Sequence, residues 1–247
     1  MMEQDKRNFN LSIAGHSFAI HTLYSRAYNM CREYMIDRPA EEEIIISEED
    51  ICAEQNDINE QDIRINRNSY LETLALYRKI AEKILDYDIF LMHGAVVAYK
   101  NVAYMFTAVS GTGKTTHILK WLDNLDDAYV VNGDKPLIKI TEDKAIACGT
   151  PWQGKEQLGT NCMIPLKAIV MMERGDNNTI EEIAFESALC FLIQQTYMPN
   201  NIEKKKKTLK LIGKLKGKVK FYKFIFNNMK DDAFEVSYRA IAAEKDI

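Results

Sequence analysis

The sequence lacks the features that mark secreted, membrane-spanning and zinc-clustered proteins. Its five cysteines are scattered singly without a C-x-x-C pair, which argues against a disulfide framework or a zinc site and favours reduced thiols. No segment approaches the roughly 18 uninterrupted apolar residues that a membrane span needs. The first residues are charged and no apolar stretch follows them, unlike a secretory signal. We therefore expect a cytoplasmic protein that does not enter a membrane.

The sequence also contains no internal repeat and no low-complexity linker. Its 247 residues suit one large domain, or a core domain with a smaller appendage. We expect any boundary near residue 89, which divides the chain into an N-terminal α+β region at 1–88 and a larger domain at 89–247. The sequence does not reveal the role of residues 1–88.

Charge is unevenly distributed along the chain. Residues 1–92 carry 10 Lys+Arg against 18 Asp+Glu, whereas residues 201–247 carry 13 against 6. The lysines fall in a helix expected at 202–215, and a lysine-rich helix is usually a solvated face, so a nucleic-acid partner is not expected. The alternative is a surface for an acidic partner, such as the N-terminal region of a second copy, which leaves a homo-oligomer open.

Hydrophobic periodicity and turn residues predict a mixed α/β protein. A helix is expected at 69–87, with Ser69 as its cap and Glu72 three residues on. Apolar runs at 90–99 and 102–109 predict two strands joined as a hairpin. Further predicted elements are a helix at 115–124, strands at 128–132, 137–140, 145–148, 166–173 and 220–226, and helices at 186–197 and 231–243.

Residues 102–116 carry the most informative pattern in the chain. An apolar run leads into Ser-Gly-Thr-Gly-Lys-Thr-Thr and then into an amphipathic stretch, which is the strand–loop–helix layout of a phosphate-binding P-loop. Gly111 and Gly113 let the backbone curl so that its N–H groups converge on phosphate oxygens at the start of the helix. The general pattern has glycine where this chain has Ala108, a difference of one methyl group. The predicted nucleotide-binding residues are Ser110, Gly111, Thr112, Gly113, Lys114, Thr115 and Thr116.

Two side chains of this loop supply its chemistry. Lys114, expected to face solvent in the free protein, would reach the β- and γ-phosphates, and the Thr115 hydroxyl would bind the Mg²⁺ that bridges them. A metal-holding acid is expected at the carboxyl end of a neighbouring strand, where Asp134 follows the run at 128–132. We therefore predict Thr115 and Asp134 as metal ligands, with an ordinary turn aspartate as the alternative for Asp134.

Ser-Gly-Thr-Gly-Lys-Thr-Thr at 110–116 and His93-Gly94 at the start of the preceding hairpin resemble two related families, the ATP-dependent phosphoenolpyruvate carboxykinases and the HPr kinase/phosphorylases. In the HPr kinases this hairpin opens with a His-Gly pair, and both families place an Asp-Asp pair after the next strand. The resemblance covers about residues 90–240. It implies a P-loop core in which helices flank a mixed β-sheet, with ATP and Mg²⁺ as cofactors.

The chain departs from these families at the acid pair, because Gly133-Asp134-Lys135 contains a single aspartate. If Asp134 matches the second acid, Gly133 replaces the residue that the kinases use as general base. If Asp134 matches the first acid, Lys135 replaces a metal ligand. His93 could then serve as base, since imidazole accepts a proton near neutral pH, or it could simply be hydrogen-bonded in the structure. Whether half of the pair supports transfer stays open.

Residues 149–161 form the second unusual segment, a glycine-studded loop of the kind that often carries substrate contacts. Lys155 is expected to neutralise the transferring phosphate, Glu156 to orient an acceptor or act as base, and Trp152 to stack on a ring or close the site. We expect the loop at the edge where strand carboxyl ends gather. The alternative is a surface loop whose tryptophan packs into the core.

These features predict an ATP-dependent kinase that transfers the γ-phosphoryl group to a hydroxyl of a small molecule or a protein serine. The predicted catalytic residues are Lys114, Asp134, His93, Lys155 and Glu156. The alternative is a nucleotide-binding regulatory protein without transfer activity. The acceptor, the choice among ATP, GTP and pyrophosphate as donor, and the oligomeric state stay open.

Overall fold

A computed structural model describes residues 7–54, 67–227 and 229–243 of the chain. The chain divides into two compact units, Met1–Ile84 and Leu85–Ile247. Compactness does not by itself show independent folding, so the division into 1–88 and 89–247 stays a prediction. Within the described residues, no helix has both the length and the apolarity that crossing a membrane requires.

The first unit is a small α+β arrangement. Strands β1 and β2 form an antiparallel hairpin, and β3 pairs parallel with β2. The strands are β1 (Asn8–Ile13), β2 (His16–His21) and β3 (Glu42–Ile45), and the helices are α1 (Arg26–Met30), α2 (Glu48–Glu54) and α3 (Arg67–Lys83).

The capping prediction for α3 is wrong. Ser69 lies inside the helix, and Glu72 is buried, where its carboxylate accepts hydrogen bonds from the backbone N–H groups of Leu23 and Tyr24. A capping box and a tertiary acceptor have the same local sequence, so only the packed chain distinguishes them.

The second unit contains a mixed sheet of nine strands. Its strands are β4 (Ile89–Leu91), β5 (Ala95–Tyr99), β6 (Val102–Thr107), β7 (Tyr129–Asn132), β8 (Leu137–Ile140), β9 (Ala145–Cys148), β10 (Met163–Arg174), β11 (Thr179–Ile183) and β12 (Lys220–Phe226). Helices α4 (Lys114–Asn124) and α7 (Ala233–Ile241) contribute to one hydrophobic cluster against the sheet, while α5 (Phe185–Gln194) and α6 (Ile202–Gly213) contribute to another. The mixed α/β class that the sequence predicts, with a mixed sheet flanked by helices, is confirmed.

Strand β10 is shared by two parts of the sheet. Its first residues pair antiparallel with β9, and its later residues pair parallel with β6 and with β12. Strand β5 is antiparallel to both β6 and β7, so β6 and β7 run in the same direction as β10. The carboxyl ends of β6, β7 and β10 therefore lie at one edge of the sheet, and the loops that follow them meet there.

The predicted hairpin before the P-loop is confirmed for β5 and β6, which join at Lys100-Asn101 with positive φ at both residues. The single strand predicted at 90–99 is wrong, because the chain leaves the strand conformation between Leu91 and Ala95. Strand β4 pairs with β8 instead of continuing into β5. This break places His93 and Gly94 at the start of β5, close to the end of β6.

Among the described residues, six lysines of the basic C-terminal segment form ion pairs within the second unit. Lys207 pairs with Asp86 at 3.2 Å, Lys214 pairs with Asp88 at 3.0 Å, and Lys206 pairs with its helical neighbour Glu203. These contacts favour the interpretation of α6 as a solvated face. Binding of an acidic partner, or of a second copy of the chain, stays a prediction.

A buried histidine links α4 to α7. His117 is fully buried among Phe106, Phe226 and other aromatic rings, and its Nε2 lies 3.1 Å from the Ser237 hydroxyl. Its Nδ1 has no hydrogen-bond partner among the described residues. Desolvation by burial, with a smaller effect of the Lys120 charge, lowers the pKa of His117 to about 3.

We expect His117 to make folding stability fall in mild acid. Its pKa in the unfolded chain is near the ordinary 6.5, so the unfolded state takes up a proton as the pH falls toward 3 and the folded state does not. Between pH 7 and pH 5 the parent should lose about 2 kcal/mol more unfolding free energy than His117→Gln. Urea unfolding followed by tryptophan fluorescence measures this, and equal losses for the two proteins would contradict it.

Candidate functional site

The loop between β6 and α4 contains two glycines with positive φ and leads directly into the first turn of α4. Gly111 has a φ of +80° and Gly113 a φ of +117°, conformations that side chains with a Cβ rarely adopt. A Cβ on Gly113 would lie 2.7 Å from the Phe226 ring, so space as well as conformation requires glycine there. Helix α4 begins at Lys114 without a side-chain cap at Gly113. The first-turn N–H groups are therefore open to an anion.

The Lys114 side chain turns back over this loop. Its Nζ donates a hydrogen bond of 3.1 Å to the carbonyl of Ala108, and the residue is buried. The expectation that the amine faces solvent in the free protein is therefore wrong. Burial lowers the pKa of Lys114, the negative charge of Asp134 counteracts this, and the positive charge of Lys135 adds to it. An anion bound in the loop would offset the cost of burying the Lys114 charge.

Arg174, the last residue of β10, is a loop contact that the sequence analysis missed. Its guanidinium donates to the carbonyls of Gly111 and Thr112, at 2.5 Å and 3.4 Å. Arg174 therefore holds two carbonyls of the glycine loop in place. No local pattern indicates this contact, because Arg174 lies 63 residues downstream of Gly111 and reaches the loop through the parallel pairing of β10 with β6.

Asp134 follows β7 and lies against His93. The His93 Nε2 is 3.3 Å from Asp134 Oδ1, and its Nδ1 is 3.0 Å from the side-chain oxygen of Gln195. The backbone reinforces the contact, because Gly94 N–H donates to the Asp134 carbonyl and the Thr107 hydroxyl donates to the His93 carbonyl. Both ring nitrogens of His93 thus have protein partners, an arrangement suited to orienting Asp134. Gln195, at the end of α5, was also missed.

The Asp134 carboxylate is held in its ionised form. Burial alone would raise the pKa of Asp134, but the hydrogen bond from His93 and the charges of Lys135, His93 and Lys114 outweigh burial and lower it. Lys114 and Asp134 thus influence each other electrostatically at the shared edge of the sheet. Perturbed ionisable groups that lie close to one another are frequent in functional sites.

The turn that carries Asp134 is fixed by Asn132. The buried Asn132 side chain accepts hydrogen bonds from the N–H groups of Asp134 and Lys135, at 2.9 Å and 2.6 Å. Its amide group donates to Thr150, and the Thr150 hydroxyl donates to the Lys135 carbonyl. The turn is therefore anchored to the loop that follows β9.

That loop, residues 149–161, reaches Asp134. Gly154 approaches so closely that a Cβ on it would lie 3.1 Å from the Asp134 Cβ and 3.8 Å from a carboxylate oxygen of Glu156. The expectation that the loop starts at the edge where strand carboxyl ends gather is wrong. Strand β9 runs antiparallel to β10, so its carboxyl end lies at the amino end of β10. The loop comes to Asp134 through its pairing with β7, where Asn132 bridges Gly159.

The three predicted substrate residues differ in exposure. Lys155 and Glu156 are exposed, and Trp152 is partly buried. The structure thus brings the Gly154–Glu156 turn to Asp134, while contacts of Trp152, Lys155 and Glu156 with an acceptor stay a prediction.

Thr115 and Asp134 carry oxygen atoms of the kind that Mg²⁺ prefers, and their role as metal ligands stays a prediction. Thr115 is a half-buried residue in the first turn of α4, and Asp134 supplies a carboxylate. Mg²⁺ is commonly bound through one or two protein oxygens, with phosphates and waters completing its octahedron. In the part of the chain that the structure describes, no group of three or more His, Cys, Asp or Glu residues could hold a metal ion.

Neither a protein-family profile nor a curated protein sequence matches the chain. Among solved structures, the chain is similar to the HPr(Ser) kinase/phosphatase from Coxiella burnetii, with 9% identity and a TM-score of 0.38 over 61% of this chain and 95% of that one. Such values indicate a distant fold relationship at most. The kinship to HPr kinases and carboxykinases suggested by the motifs therefore stays a prediction.

Proposed function

We propose that this protein is an ATP-dependent phosphotransferase, whose loop at 110–116 binds the nucleotide phosphates and whose acceptor is a hydroxyl of a small molecule or a protein serine. The observation that carries the proposal is that the glycine loop, Lys114 and the His93–Asp134 pair lie together at one edge of the sheet. A loop that only bound phosphate would not need an oriented carboxylate beside it.

The chain's own groups have separate tasks in this proposal. The loop N–H groups and Lys114 bind the β- and γ-phosphates and stabilise negative charge as the terminal group leaves. Thr115 and Asp134 would hold Mg²⁺, which when bound neutralises phosphate charge and aligns the phosphate chain. His93 and Lys135 both contact Oδ1 of Asp134 and so position the carboxylate that would hold the metal.

The acceptor proton is assigned to the Asp134 carboxylate. Phosphoryl transfer has a loose transition state, so the hydroxyl proton is needed late and a weakly basic carboxylate suffices. His93 keeps the carboxylate aligned and Gln195 keeps the imidazole aligned, through the hydrogen bonds described above. Lys155 and Glu156 are assigned to the acceptor side, since the Gly154 turn lies against Asp134.

Substitution of the acceptor loop tests the proposal. We expect Lys155→Ala and Glu156→Ala to leave the affinity for ATP within a few-fold of the parent and to lower transfer by roughly 10²-fold, because these groups act mainly in the transition state. The measurement is acceptor-dependent ADP release with pools of hydroxyl compounds and serine peptides, alongside calorimetric titration of ATP.

The control is Lys144→Ala, which removes an exposed lysine from the β8–β9 turn and should leave both quantities unchanged. Unchanged transfer in the loop variants would make the loop a scaffold. Tight ATP binding without ADP release from the parent, whatever the acceptor, would favour the regulatory alternative.

A further inference from the structure

Lys135 directly follows Asp134 in the turn that Asn132 fixes. Its backbone is fixed at both ends, since its N–H donates to Asn132 and its carbonyl accepts from Thr150. Its side chain then folds back to the site, where Nζ lies 3.8 Å from Asp134 Oδ1 and the side chain is 30% exposed. The amine is thus held close to the carboxylate and is still accessible to a ligand.

Asp134 by itself does not accept from all the N–H donors of the Lys135 ammonium. The same Oδ1 atom also lies 3.3 Å from His93 Nε2, so one carboxylate oxygen is shared by two nitrogen groups. An ammonium has three N–H donors, and a 3.8 Å ion pair is longer than a charge-assisted hydrogen bond. Lys114 adds a second ammonium to the same neighbourhood, and Arg174 adds a guanidinium on the loop. The site therefore has an excess of positive charge.

We infer that Lys135 is a phosphate-binding residue, a built-in cation beside Asp134 that gives the site substantial affinity for a nucleotide's terminal phosphates without a divalent metal. The inference rests on the proposed function, because it assumes that the ligand's phosphates lie in the 110–116 loop. It assigns the ligand class as a nucleoside di- or triphosphate, whose terminal oxygens can accept from Lys114 and Lys135 together. Magnesium then adds affinity instead of being obligatory for binding.

The test compares ADP binding with and without magnesium. Calorimetry with ADP is carried out in excess EDTA and in excess Mg²⁺ on the parent, Lys135→Gln and Lys135→Arg. We expect the parent to bind ADP in EDTA within about tenfold of its affinity in Mg²⁺, and Lys135→Gln to lose about tenfold in EDTA. In Mg²⁺ the loss should be about threefold or less, because the metal supplies charge to the same oxygens. Lys135→Arg should keep most of the EDTA affinity.

Lys144→Gln serves as the matched control, since it removes the same charge from an exposed turn. Equal losses for Lys135→Gln in the two conditions would mean that Lys135 only positions Asp134, and no loss in EDTA would remove it from the site; either result overturns the inference and leaves the proposed function standing. A parent that binds ADP in neither condition overturns both. If Lys135→Gln does not fold, Lys135→Met, of similar length, is measured by the same criteria.

Discussion

Lys114→Ala should lower the affinity for Mg²⁺-ATP by about 10²-fold or more, since it removes a charge-assisted contact to the phosphates. Transfer should become undetectable, because Lys114 also stabilises charge on the departing group. The fold should survive, with a change in unfolding free energy below about 1 kcal/mol. Burial already disfavours the lysine charge, so removing it relieves a cost that offsets the lost hydrogen bond to Ala108.

Calorimetry with Mg²⁺-ATP and thermal unfolding provide the two measurements for Lys114. The matched control is Lys120→Ala, on the same helix, where Nζ bonds to the Lys230 carbonyl away from the loop. Equal ATP affinity for Lys114→Ala and the parent would refute the P-loop assignment. A large loss of stability without loss of affinity would make Lys114 a structural residue.

Asp134→Asn should lower transfer by about 10³-fold, because it removes both a metal ligand and the acceptor of the hydroxyl proton. The amide oxygen can still accept from His93, so the local structure should persist. Binding should show a different pattern: the increase in ADP affinity that Mg²⁺ gives the parent should largely disappear, while affinity in EDTA should hold or rise as a negative charge near the phosphates is removed.

ADP titration with and without Mg²⁺, together with ADP release from ATP, measures these effects of Asp134→Asn. Asp86→Asn is the control, since it makes the same chemical change in a surface ion pair with Lys207. If Asp134→Asn lowered the affinity by the same factor in both conditions, Asp134 would be a structural turn residue and the metal assignment would be wrong.

Local sequence predicted the elements whose signals lie within a few residues. The β5–β6 hairpin follows from the apolar runs on either side of Lys100-Asn101, and β8 and β9 have the predicted bounds. The glycine loop and the helix that begins at Lys114 follow from the spacing of glycines and lysine. These patterns depend on φ/ψ preferences and on periodicity, which neighbouring residues fix.

Other features could not be predicted from local sequence. The helical stretch that contains Ser69 and Glu72 has the pattern of a capped start, yet Glu72 binds the N–H groups of Leu23 and Tyr24. The run at 90–99 has the pattern of one strand, yet its first residues pair with β8. In each case a partner distant in the sequence decides the outcome, and no window of the sequence contains that partner.

The sequence by itself determined the glycine loop at 110–116 and the aspartate after the next strand, because both depend on residue type and on spacing along one segment. The tertiary structure decided which groups surround them. Parallel pairing of β10 with β6 brings Arg174 to the loop, and the end of α5 brings Gln195 to His93. Each of these contacts depends on the register of strands or on helix packing. Register and packing form only when distant segments of the chain come together and exclude water.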